Sequence, residues 1–390
     1  MKIGIDKMGF YTPDVYIDMI ELANARGIDS GKYTIGLGQE KMAVAPIYED
    51  AVTMAANAAL SIVDNEDREQ IDLILVGSES GVDQSKSIAI YVQSLVGMKR
   101  RVRAVELKQA CYGATMGLQI AREHILANPD SKVLVIATDI AKYGVNTPGE
   151  PTQGAGAVAM LLSKNPRIAE IEPEHTFYTE DIMDFWRPVY SDTAFADGKF
   201  STEKYIEFFE TVWCDYTQSS GKTFADFTAI CFHMPFTKLG YKALTHVLDK
   251  YSVDETDKTR LLTMYEYSKS YNKQIGNIYT GSLYLSLMSL LEHSTQKRGN
   301  RIGLFSYGSG AIGEFFTIKL RSGFKKHLHH AQHKALLDNR VALSIDEYER
   351  ILNMSLAKDG TYFDTQAPMT KGKVVLSHVE NHQRVYRHNS

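Results

Sequence analysis

The chain has 390 residues, of which 44% are hydrophobic, and its formal net charge is −4 at pH 7. This length suits two domains or one large duplicated unit, and the slightly acidic balance disfavours a protein that binds nucleic acid through phosphates. The first ten residues, MKIGIDKMGF, lack a signal-peptide hydrophobic run, and no apolar stretch is long enough to cross a bilayer. We therefore expect a cytoplasmic protein with no membrane or nucleic-acid partner.

The first half of the chain alternates predicted strands and helices. The segments IDLILV (71–76), KVLVIATD (132–139) and GAVAMLLS (156–163) are continuous apolar runs of strand length, a pattern typical of strands covered on both faces. The predicted helices between them lie around residues 50–63, 83–97 and 111–127.

The second half repeats this plan. FTAICFHMP (227–235) is a predicted strand, and a helix is predicted near residues 237–250. The segment GNIYTGSLYLSLMSLL predicts a loop followed by a helix that is nearly all apolar and therefore buried. RIGLFSYGSG and GEFFTIKL are predicted to be the closing strands.

The two halves correspond in pattern, although no residue-level identity supports a repeat. Glu79 ends a predicted strand in the first half, as His233 does in the second, and Cys111 opens a buried helix, as Asn277 does. Sites in open parallel sheets form beyond the carboxyl ends of the strands. We therefore expect these four polar side chains to meet at one place.

Cys111 is one of three cysteines, with Cys214 and Cys231, and none stands in a CxxC pair. A disulfide framework and a zinc site are both disfavoured. Cys111 is either a small buried hydrophobe or a nucleophile, whose pKa a helix N-terminus would lower. The small neighbours Gly113 and Ala114 would allow an acyl group to approach the thiol.

Each of two further side chains, His233 and Glu79, has a structural and a chemical interpretation. His233 lies in the apolar segment CFHMPF and is either a core histidine or an acid, base or oxygen-polarising donor. Glu79 is either a loop carboxylate near a helix start or, if buried near Cys111, a general base with a raised pKa. Asn277 and Ser309 lie in glycine-rich turns and can serve ordinary turn chemistry.

Basic and histidine side chains one helical turn apart are the remaining candidates. Lys238 and Lys242 either form a surface face or clamp an anionic cofactor tail. In the segment KKHLHHAQH, His329 and His333 have a spacing that can bind a metal. No third ligand is in view, so we expect a solvated helix face there and no metal site.

Together the motifs resemble a known family. ACYGAT, IATDIAKYG, EPTQGAGAVAML, DFWRP, FHMPFTKLGYKAL, GNIYTGSLY and FSYGSG look like the motif set of the bacterial type of 3-hydroxy-3-methylglutaryl-CoA synthase. The resemblance implies an α/β protein of thiolase-like fold, with duplicated half-domains in a layered αβαβα arrangement. The half-domains would comprise residues 1–165, with Glu79 and Cys111, and 166–390, with His233, Asn277 and Ser309.

The resemblance also implies the chemistry. Cys111 would take the acetyl group of acetyl-CoA, Glu79 would remove a proton from its methyl group, and His233 would polarise the ketone of acetoacetyl-CoA. The resemblance also implies that this reaction belongs to the mevalonate pathway of isoprenoid synthesis and uses no metal or cofactor beyond the CoA thioesters. Enzymes of this family form homodimers. Residues matching binding positions are Asp29, Ser30, Asp139, Tyr143, Asn146, Thr152, Asp184, Ser201, Lys238, Lys242, Asn277 and Ser309.

Two alternatives remain at this stage. A β-ketoacyl synthase of the same fold also uses Cys, His and Asn, but it condenses by decarboxylation and does not need the base Glu79. A non-catalytic acyl-CoA-binding protein of this fold would have no reason to keep Cys111, Glu79 and His233 together.

Overall fold

The computed structural model describes residues 1–368 and 372–389. It is a mixed α/β protein. In chain order the strands are β1 (Ile3–Tyr11), β2 (Val15–Asp18), β3 (Lys41–Ala43), β4 (Ile71–Gly77), β5 (Arg103–Leu107), β6 (Lys132–Ala141), β7 (Gly154–Lys164), β8 (Ala169–Thr179), β9 (Phe185–Trp186), β10 (Phe195–Ala196), β11 (Ala229–Phe232), β12 (Arg301–Gly308), β13 (Ile312–Leu320), β14 (Val341–Ala342), β15 (Phe363–Asp364), β16 (Val374–Glu380) and β17 (Gln383–His388).

Twelve α-helices lie within the described residues. They are α1 (Met19–Ala25), α2 (Ala51–Ile62), α3 (Asn65–Gln70), α4 (Ile88–Leu95), α5 (Gly113–Ala127), α6 (Gly198–Ser220), α7 (Thr237–Lys250), α8 (Glu255–Ser268), α9 (Ser270–Ile275), α10 (Ser282–His293), α11 (His330–Asp338) and α12 (Ile345–Asn353). A π-helical turn, Lys32–Leu37, and four 3₁₀ turns, Glu150–Thr152, Phe224–Asp226, Tyr279–Gly281 and Phe324–His327, complete the helical structure.

One nine-stranded sheet runs through the molecule in the order β11-β12-β13-β8-β1-β7-β6-β4-β5. On one side of its centre, β1 is antiparallel to β7, β7 is antiparallel to β6, and β6 is parallel to β4. On the other side, β8, β13, β12 and β11 repeat the same three relationships. The pairs Gly4–Glu170 and Ile5–Ala169 join the two sets. The duplication expected from the sequence is therefore visible in the strand topology.

The hydrophobic clusters show how the layers stack. Helices α5 and α10 share one core cluster with strand residues of both halves, so they form the middle layer. Helices α2 and α4 cover the outer face of the first half, and α6 and α7 cover that of the second. This is the layered thiolase-like arrangement expected above. The division into half-domains at residues 165 and 166 stays a prediction.

Most predicted elements are confirmed, with two corrections. The helix predicted near residues 237–250 is α7, Thr237–Lys250. The helix predicted at 83–97 is shorter, because Asp83 accepts the N–H groups of Ser85 and Lys86 in a turn and Ser87 caps a helix that begins at Ile88. The strand predicted at 227–235 is confined to β11, since its register with β12 ends at Phe232 and Phe305.

The expectation of a solvated helix face near the C-terminus is wrong for His333. Helix α11 packs its His333 ring against Phe10, with 4.4 Å between ring centroids. Nδ1 of His333 lies 2.9 Å from Oε1 of Glu292, and only 4% of the residue is exposed. His329 is half-buried beside it. Within residues 1–368 and 372–389, no group of three metal-ligating side chains is present, and no helix has the length and apolar character needed to span a membrane.

Candidate active site

The end of β4 and the start of α5 meet at the carboxyl edge of the sheet. A Cβ atom on Gly77 would lie 2.2 Å from the backbone nitrogen of Ala114, so only glycine permits this contact. The close approach brings Glu79, two residues after β4, to Cys111, two residues before α5. The Cys111 sulfur lies 3.5 Å from Oε1 of Glu79. The sequence expectation that these two side chains meet agrees with this geometry.

The small residues beside Cys111 allow close packing of the backbone. A Cβ atom on Gly113 would lie 2.6 Å from the carbonyl oxygen of Leu107 on β5, and Ala114 faces Gly77 as described. The expectation that Gly113 and Ala114 leave space for an acyl group stays a prediction. Their size is required because α5 begins in contact with two strands.

Asp139, on β6, holds the loop that carries Glu79. Its Oδ1 accepts hydrogen bonds from the backbone N–H of Glu79 (2.9 Å) and from the hydroxyls of Ser78 (3.1 Å) and Ser80 (2.8 Å). Its Oδ2 accepts from the N–H (3.1 Å) and hydroxyl (2.6 Å) of Thr280. Asp139 is buried and both of its oxygens are used inside the protein, so it can orient Glu79 but has little capacity left for a substrate.

Burial raises the pKa of Glu79 to about 8, and the nearby charge of Asp139 adds to the effect. The guanidinium of Arg187, which donates to the Glu79 carbonyl oxygen, acts in the opposite direction on the pKa. The sequence expectation of a carboxyl group with a pKa in the range of a general base is confirmed.

The pKa of the Cys111 thiol is raised, not lowered as the helix-dipole argument predicted. Burial is the main cause, and the charges of Glu79, Asp139 and Asp184 add to it. Cys111 also lies outside α5, whose N-cap is Tyr112. The dipole effect falls off within the first turn, whereas burial and, after it, the three carboxylates raise the pKa of the thiol.

Aromatic side chains form a wall beside Cys111. Cys111 packs with Ala141 and Tyr279, and Tyr143 and Phe185 lie against this cluster. The rings of Phe185 and Tyr279 are 5.9 Å apart, and that of Tyr143 lies 6.0 Å from Phe185. The predicted site residue Tyr143 is thus part of an apolar cavity wall next to the thiol.

His233 follows β11 and is 2% exposed. Burial lowers the pKa of its imidazole to about 3, so the ring is neutral at neutral pH. Its Nδ1 has no hydrogen-bond partner among the described residues. Its backbone is fixed by Phe305, whose oxygen accepts from His233 N (2.9 Å), and by the hydroxyl of Tyr205, which donates to His233 O (2.6 Å). Tyr205 is near enough to Cys111 for the thiol to influence its pKa.

Asn277 and Ser309 lie on loops of the second half that reach the same region. Oδ1 of Asn277 accepts from the N–H of Tyr279 (2.9 Å) and the hydroxyl of Ser282 (3.0 Å), which leaves Nδ2 without an acceptor in the described structure. The carbonyl oxygen of Ser309 accepts from the side chain of Gln109 (3.1 Å), two residues before Cys111. Asn277 therefore adjoins Tyr279 of the Cys111 cluster, and Ser309 adjoins the segment that leads to Cys111.

Asp184 and Ser201 contact each other. The hydroxyls of Ser201 (3.0 Å) and Tyr307 (2.9 Å) donate to Oδ2 of Asp184, and the N–H of Gly310 donates to Oδ1 (2.8 Å). Asp184 is fully buried. Through Ser201 and Tyr307, Asp184 connects the start of α6 to the end of β12. Asp184 would therefore affect a ligand indirectly, through the position of these two elements.

The lysines predicted to bind an anion lie on the first two turns of α7. Lys238 lies over the ring of Tyr241, 4.5 Å from its centroid, and Lys242 is exposed. Within the described chain neither lysine pairs with a carboxylate. The hydroxyl of Thr237, at the start of α7, donates to the carbonyl of Gly38 (2.7 Å). The π-helical turn is thereby fixed beside the lysine-bearing helix.

The remaining predicted residues precede the π-helical turn or lie within residues 146–152, which end in the 3₁₀ turn Glu150–Thr152. Asp29 is exposed, Ser30 is half-buried, and both precede the π-helical turn. Asn146 has a positive φ of 57°, and its N–H donates to the buried Glu150 (3.0 Å). The hydroxyl of Thr152 donates to the carbonyl of Gly149 (2.8 Å).

Three residues at the site were not predicted. Arg187 contacts Glu79, Thr280 contacts Asp139, and Tyr307 contacts Asp184. Arg187 lies within the motif DFWRP and Thr280 within GNIYTGSLY, so the motifs contained both residues without indicating which side chain each one touches.

Sequence and structure comparisons identify the relatives of this chain. The profile of the hydroxymethylglutaryl-coenzyme A synthase N-terminal region matches residues 1–167, and that of the C-terminal region matches residues 266–386. The hydroxymethylglutaryl-CoA synthase of Enterococcus faecalis is 49% identical over 388 residues, which cover 99% of this chain and 100% of the relative.

Two solved structures extend the likeness to the whole fold. A crystal structure of HMG-CoA synthase complexed with CoA superposes with a TM-score of 0.96 at 44% identity, covering 100% of both chains. MvaS in complex with 3-hydroxy-3-methylglutaryl coenzyme A superposes with a TM-score of 0.89 at 33% identity, covering 100% of this chain and 99% of the other. The chain therefore belongs to the hydroxymethylglutaryl-CoA synthase family of acyl-condensing enzymes with a thiolase-like fold.

Proposed function

We propose that this chain condenses acetyl-CoA with acetoacetyl-CoA and water to give 3-hydroxy-3-methylglutaryl-CoA and CoA. The observation that carries the residue assignment is the 3.5 Å contact between the Cys111 sulfur and the Glu79 carboxyl, in a chain of this family. The reaction uses the CoA thioesters alone and requires no further cofactor. Its place is the mevalonate pathway, and we assign the protein to the cytoplasm on its likeness to bacterial relatives.

In the first step, the Cys111 sulfur attacks the thioester carbonyl of acetyl-CoA. A carbon–sulfur bond forms to Cys111, the bond to the CoA sulfur breaks, and the thiol proton ends on the departing CoA. Because the pKa of Cys111 is raised, little free thiolate stands ready, and proton loss accompanies the attack. The acetyl-enzyme divides one difficult condensation into two easier reactions.

In the second step, Glu79 removes a proton from the methyl group of acetyl-Cys111. The resulting carbanion attacks the ketone carbon of acetoacetyl-CoA, and a carbon–carbon bond forms. A carboxyl group with a raised pKa is a stronger base than an exposed glutamate, which suits the weakly acidic methyl group.

His233 acts on the ketone oxygen during this step. A neutral imidazole carries one N–H donor, and the lowered pKa of His233 keeps the ring in that form. The ring donates a hydrogen bond to the ketone oxygen, its proton passes to the new alkoxide, and the proton that Glu79 took from the methyl group restores the neutral ring. Water then attacks the thioester carbon at Cys111, which releases the product and restores the thiol.

The substrate-binding roles are part of this proposal. Lys238 and Lys242, which have no carboxylate partner in the described part of the chain, carry positive charges suited to CoA phosphates, and Nδ2 of Asn277 can donate to the thioester carbonyl. Tyr143 contacts the acyl group, while Asp139 and Asp184 act through the loops they hold. The further assigned contacts to CoA or product are Asp29, Ser30, Asn146, Thr152, Ser201 and Ser309.

We also propose that the enzyme is a homodimer joined through β5. This strand is at one end of the large sheet and pairs only with β4 in the described part of the chain. Val105 on β5 is 44% exposed, and Met116 on the adjacent helix is 39% exposed. An open sheet edge with apolar neighbours suits pairing with a second copy.

Product analysis tests the reaction. Purified protein is mixed with acetyl-CoA and acetoacetyl-CoA, and the products and the acetylation of Cys111 are followed by mass spectrometry beside Cys111→Ala. The proposal expects 3-hydroxy-3-methylglutaryl-CoA from the unaltered enzyme and neither acetylation nor product from Cys111→Ala. Condensation with a malonyl donor alone would instead support the β-ketoacyl synthase alternative, and binding without any chemistry would support the non-catalytic one.

A further inference from the structure

We propose that Thr280 is a positioning residue for the base Glu79. The hydroxyl of Thr280 holds the Asp139 carboxyl group against the Glu79 loop, both when Asp139 is ionised and when it is protonated. This inference rests on the proposed role of Glu79 and extends it. Thr280 belongs to the second half of the chain, whereas Glu79 and Asp139 belong to the first. The contact therefore ties the base of one half to a loop of the other.

The Thr280 hydroxyl lies between a carboxyl group and a carbonyl group. Its oxygen is 2.6 Å from Oδ2 of Asp139 and 3.0 Å from the carbonyl oxygen of Gly77. A hydroxyl has one proton to donate and lone pairs to accept with, so it cannot donate to both oxygens at once. Thr280 and Asp139 are both buried, at 1% and 0% exposed, so water cannot replace the missing donor.

The protonation state of Asp139 decides where the hydroxyl proton points. When Asp139 is ionised, the Thr280 hydroxyl donates to Oδ2, and its backbone N–H donates as well. When Asp139 is protonated, its own O–H donates to the Thr280 oxygen, and the Thr280 hydroxyl turns to the carbonyl of Gly77. Each state leaves the carboxyl group of Asp139 hydrogen-bonded, and no atom has to move beyond rotation of two hydrogens.

This switch matters because Asp139 and Glu79 influence one another. The charge of Asp139 helps to raise the pKa of Glu79, and hydrogen bonds from Thr280 and Ser80 favour the charged form of Asp139. A neighbouring carboxyl pair of this kind titrates as a unit. The other titratable groups that face Glu79 are Cys111, Arg187, Tyr143 and Tyr279, and Asp184 faces Cys111.

Removal of the Thr280 hydroxyl should lower the pH at which Glu79 ionises. Without it, the anion of Asp139 loses its shortest hydrogen bond and Asp139 keeps its proton to higher pH. Glu79 then stands beside a neutral carboxyl and ionises at lower pH. The base-dependent step should become active at lower pH, with a shift of at most about one pH unit, because the loss of one charge-assisted hydrogen bond by Asp139 reaches Glu79 only through the charge between them.

The experiment isolates proton removal by Glu79 from the condensation itself. Cys111 is acetylated with acetyl-CoA in deuterated water, and deuterium entry into the acetyl methyl group is followed by mass spectrometry as a function of pH. Thr280→Val and Thr280→Ala lack the hydroxyl, and Thr280→Ser restores it. We expect the rise of the exchange rate to move to lower pH, by at most about one pH unit, in Thr280→Val and Thr280→Ala and to stay in place in Thr280→Ser.

The possible outcomes separate the inference from the proposed function. If the pH profile of methyl exchange is unchanged in Thr280→Val and Thr280→Ala, or if Thr280→Ser shifts it by the same amount, the proposed role of Thr280 is overturned. Glu79 remains the base in either case. Equal slowing at every pH in Val and Ala would show a merely structural role and would also overturn it. If the unaltered enzyme forms acetyl-Cys111 but never exchanges its methyl protons, the proposed role of Glu79 fails and the inference fails with it.

Discussion

The Cys111 sulfur and the Glu79 carboxyl, 32 residues apart in sequence, lie 3.5 Å from each other at the carboxyl edge of the sheet. Burial raises the pKa of both groups, and the charge of Glu79 raises that of Cys111 further, whereas the hydrogen bond from Cys111 lowers the pKa of Glu79. The arrangement keeps the thiol protonated until substrate arrives and keeps the carboxyl group basic. A nucleophile and a base therefore act in sequence on the same acetyl group.

Replacement of the base should separate the two steps. In Glu79→Gln the side chain keeps its size but cannot accept a proton, so condensation should fall by about 10² to 10⁴-fold while Cys111 is still acetylated. Mass spectrometry of the intact protein and of the CoA products measures both steps. Glu203→Gln, an exposed position on α6, is the matched control and should behave as the unaltered enzyme. Wild-type condensation in Glu79→Gln would contradict the assignment.

The pH dependence of condensation should report Glu79 and respond to Arg187. A base works in its ionised form, so the rate from pre-acetylated enzyme should rise with pH through about 8. The positive charge of Arg187 lowers that pKa, so Arg187→Gln should move the rise to higher pH, whereas Arg187→Lys keeps the charge. Single-turnover rates between about pH 6 and pH 10 measure the shift. A downward shift in Arg187→Gln would contradict this account.

The sequence predicted the reacting pair and the raised pKa of Glu79, but not the pKa of Cys111. Glu79 after a buried strand and Cys111 before a buried helix could be recognised, because strand ends and helix starts meet at one edge of such sheets. The pKa of Cys111 was predicted with the wrong sign. The dipole of α5 is visible in the sequence, whereas the carboxylates that oppose it come from β6 and from residue 184, which only the fold brings close.

A similar limit explains the error at His333. The spacing of His329 and His333 shows that they share a helix face, but it does not show what packs on that face. The structure places Phe10 and Glu292 there, from β1 and α10. Likewise, the duplicated topology could be inferred from the order of strands and helices, while the contact of Thr280 with Asp139 could not, since 141 residues separate them.

His233 should act as a neutral donor. Because burial lowers its pKa to about 3, the rate of condensation should show no titration of this residue between pH 5 and 8 (a range that ordinary histidines fall in). His233→Ala should reduce condensation by about 10²-fold and leave acetylation of Cys111 intact. His233→Gln, which retains an N–H donor, should recover part of the loss. Steady-state rates with varied acetoacetyl-CoA and acetyl-enzyme formation by mass spectrometry check the result. Loss of acetylation in His233→Ala would instead assign His233 to the first step.

The contact of β4 with α5 should be sensitive to a single methyl group. In Gly77→Ala the added Cβ would lie 2.2 Å from the nitrogen of Ala114, so the backbone must shift. We expect a loss of about 3 kcal/mol in the free energy of unfolding, as for overpacked cores. The same shift separates Glu79 from Cys111, so condensation should fall in the protein that remains folded.

Gly198→Ala is the matched control for that substitution. Gly198 is the first residue of α6, and a Cβ atom there would meet nothing within 4 Å. Alanine also restricts the unfolded chain, so this variant should be unchanged or more stable by about 0.5 kcal/mol. Chemical denaturation and single-turnover condensation are measured for both variants. If Gly77→Ala unfolds at the same denaturant concentration as Gly198→Ala and condenses at the wild-type rate, the close approach of β4 and α5 does not set the geometry of the reacting pair.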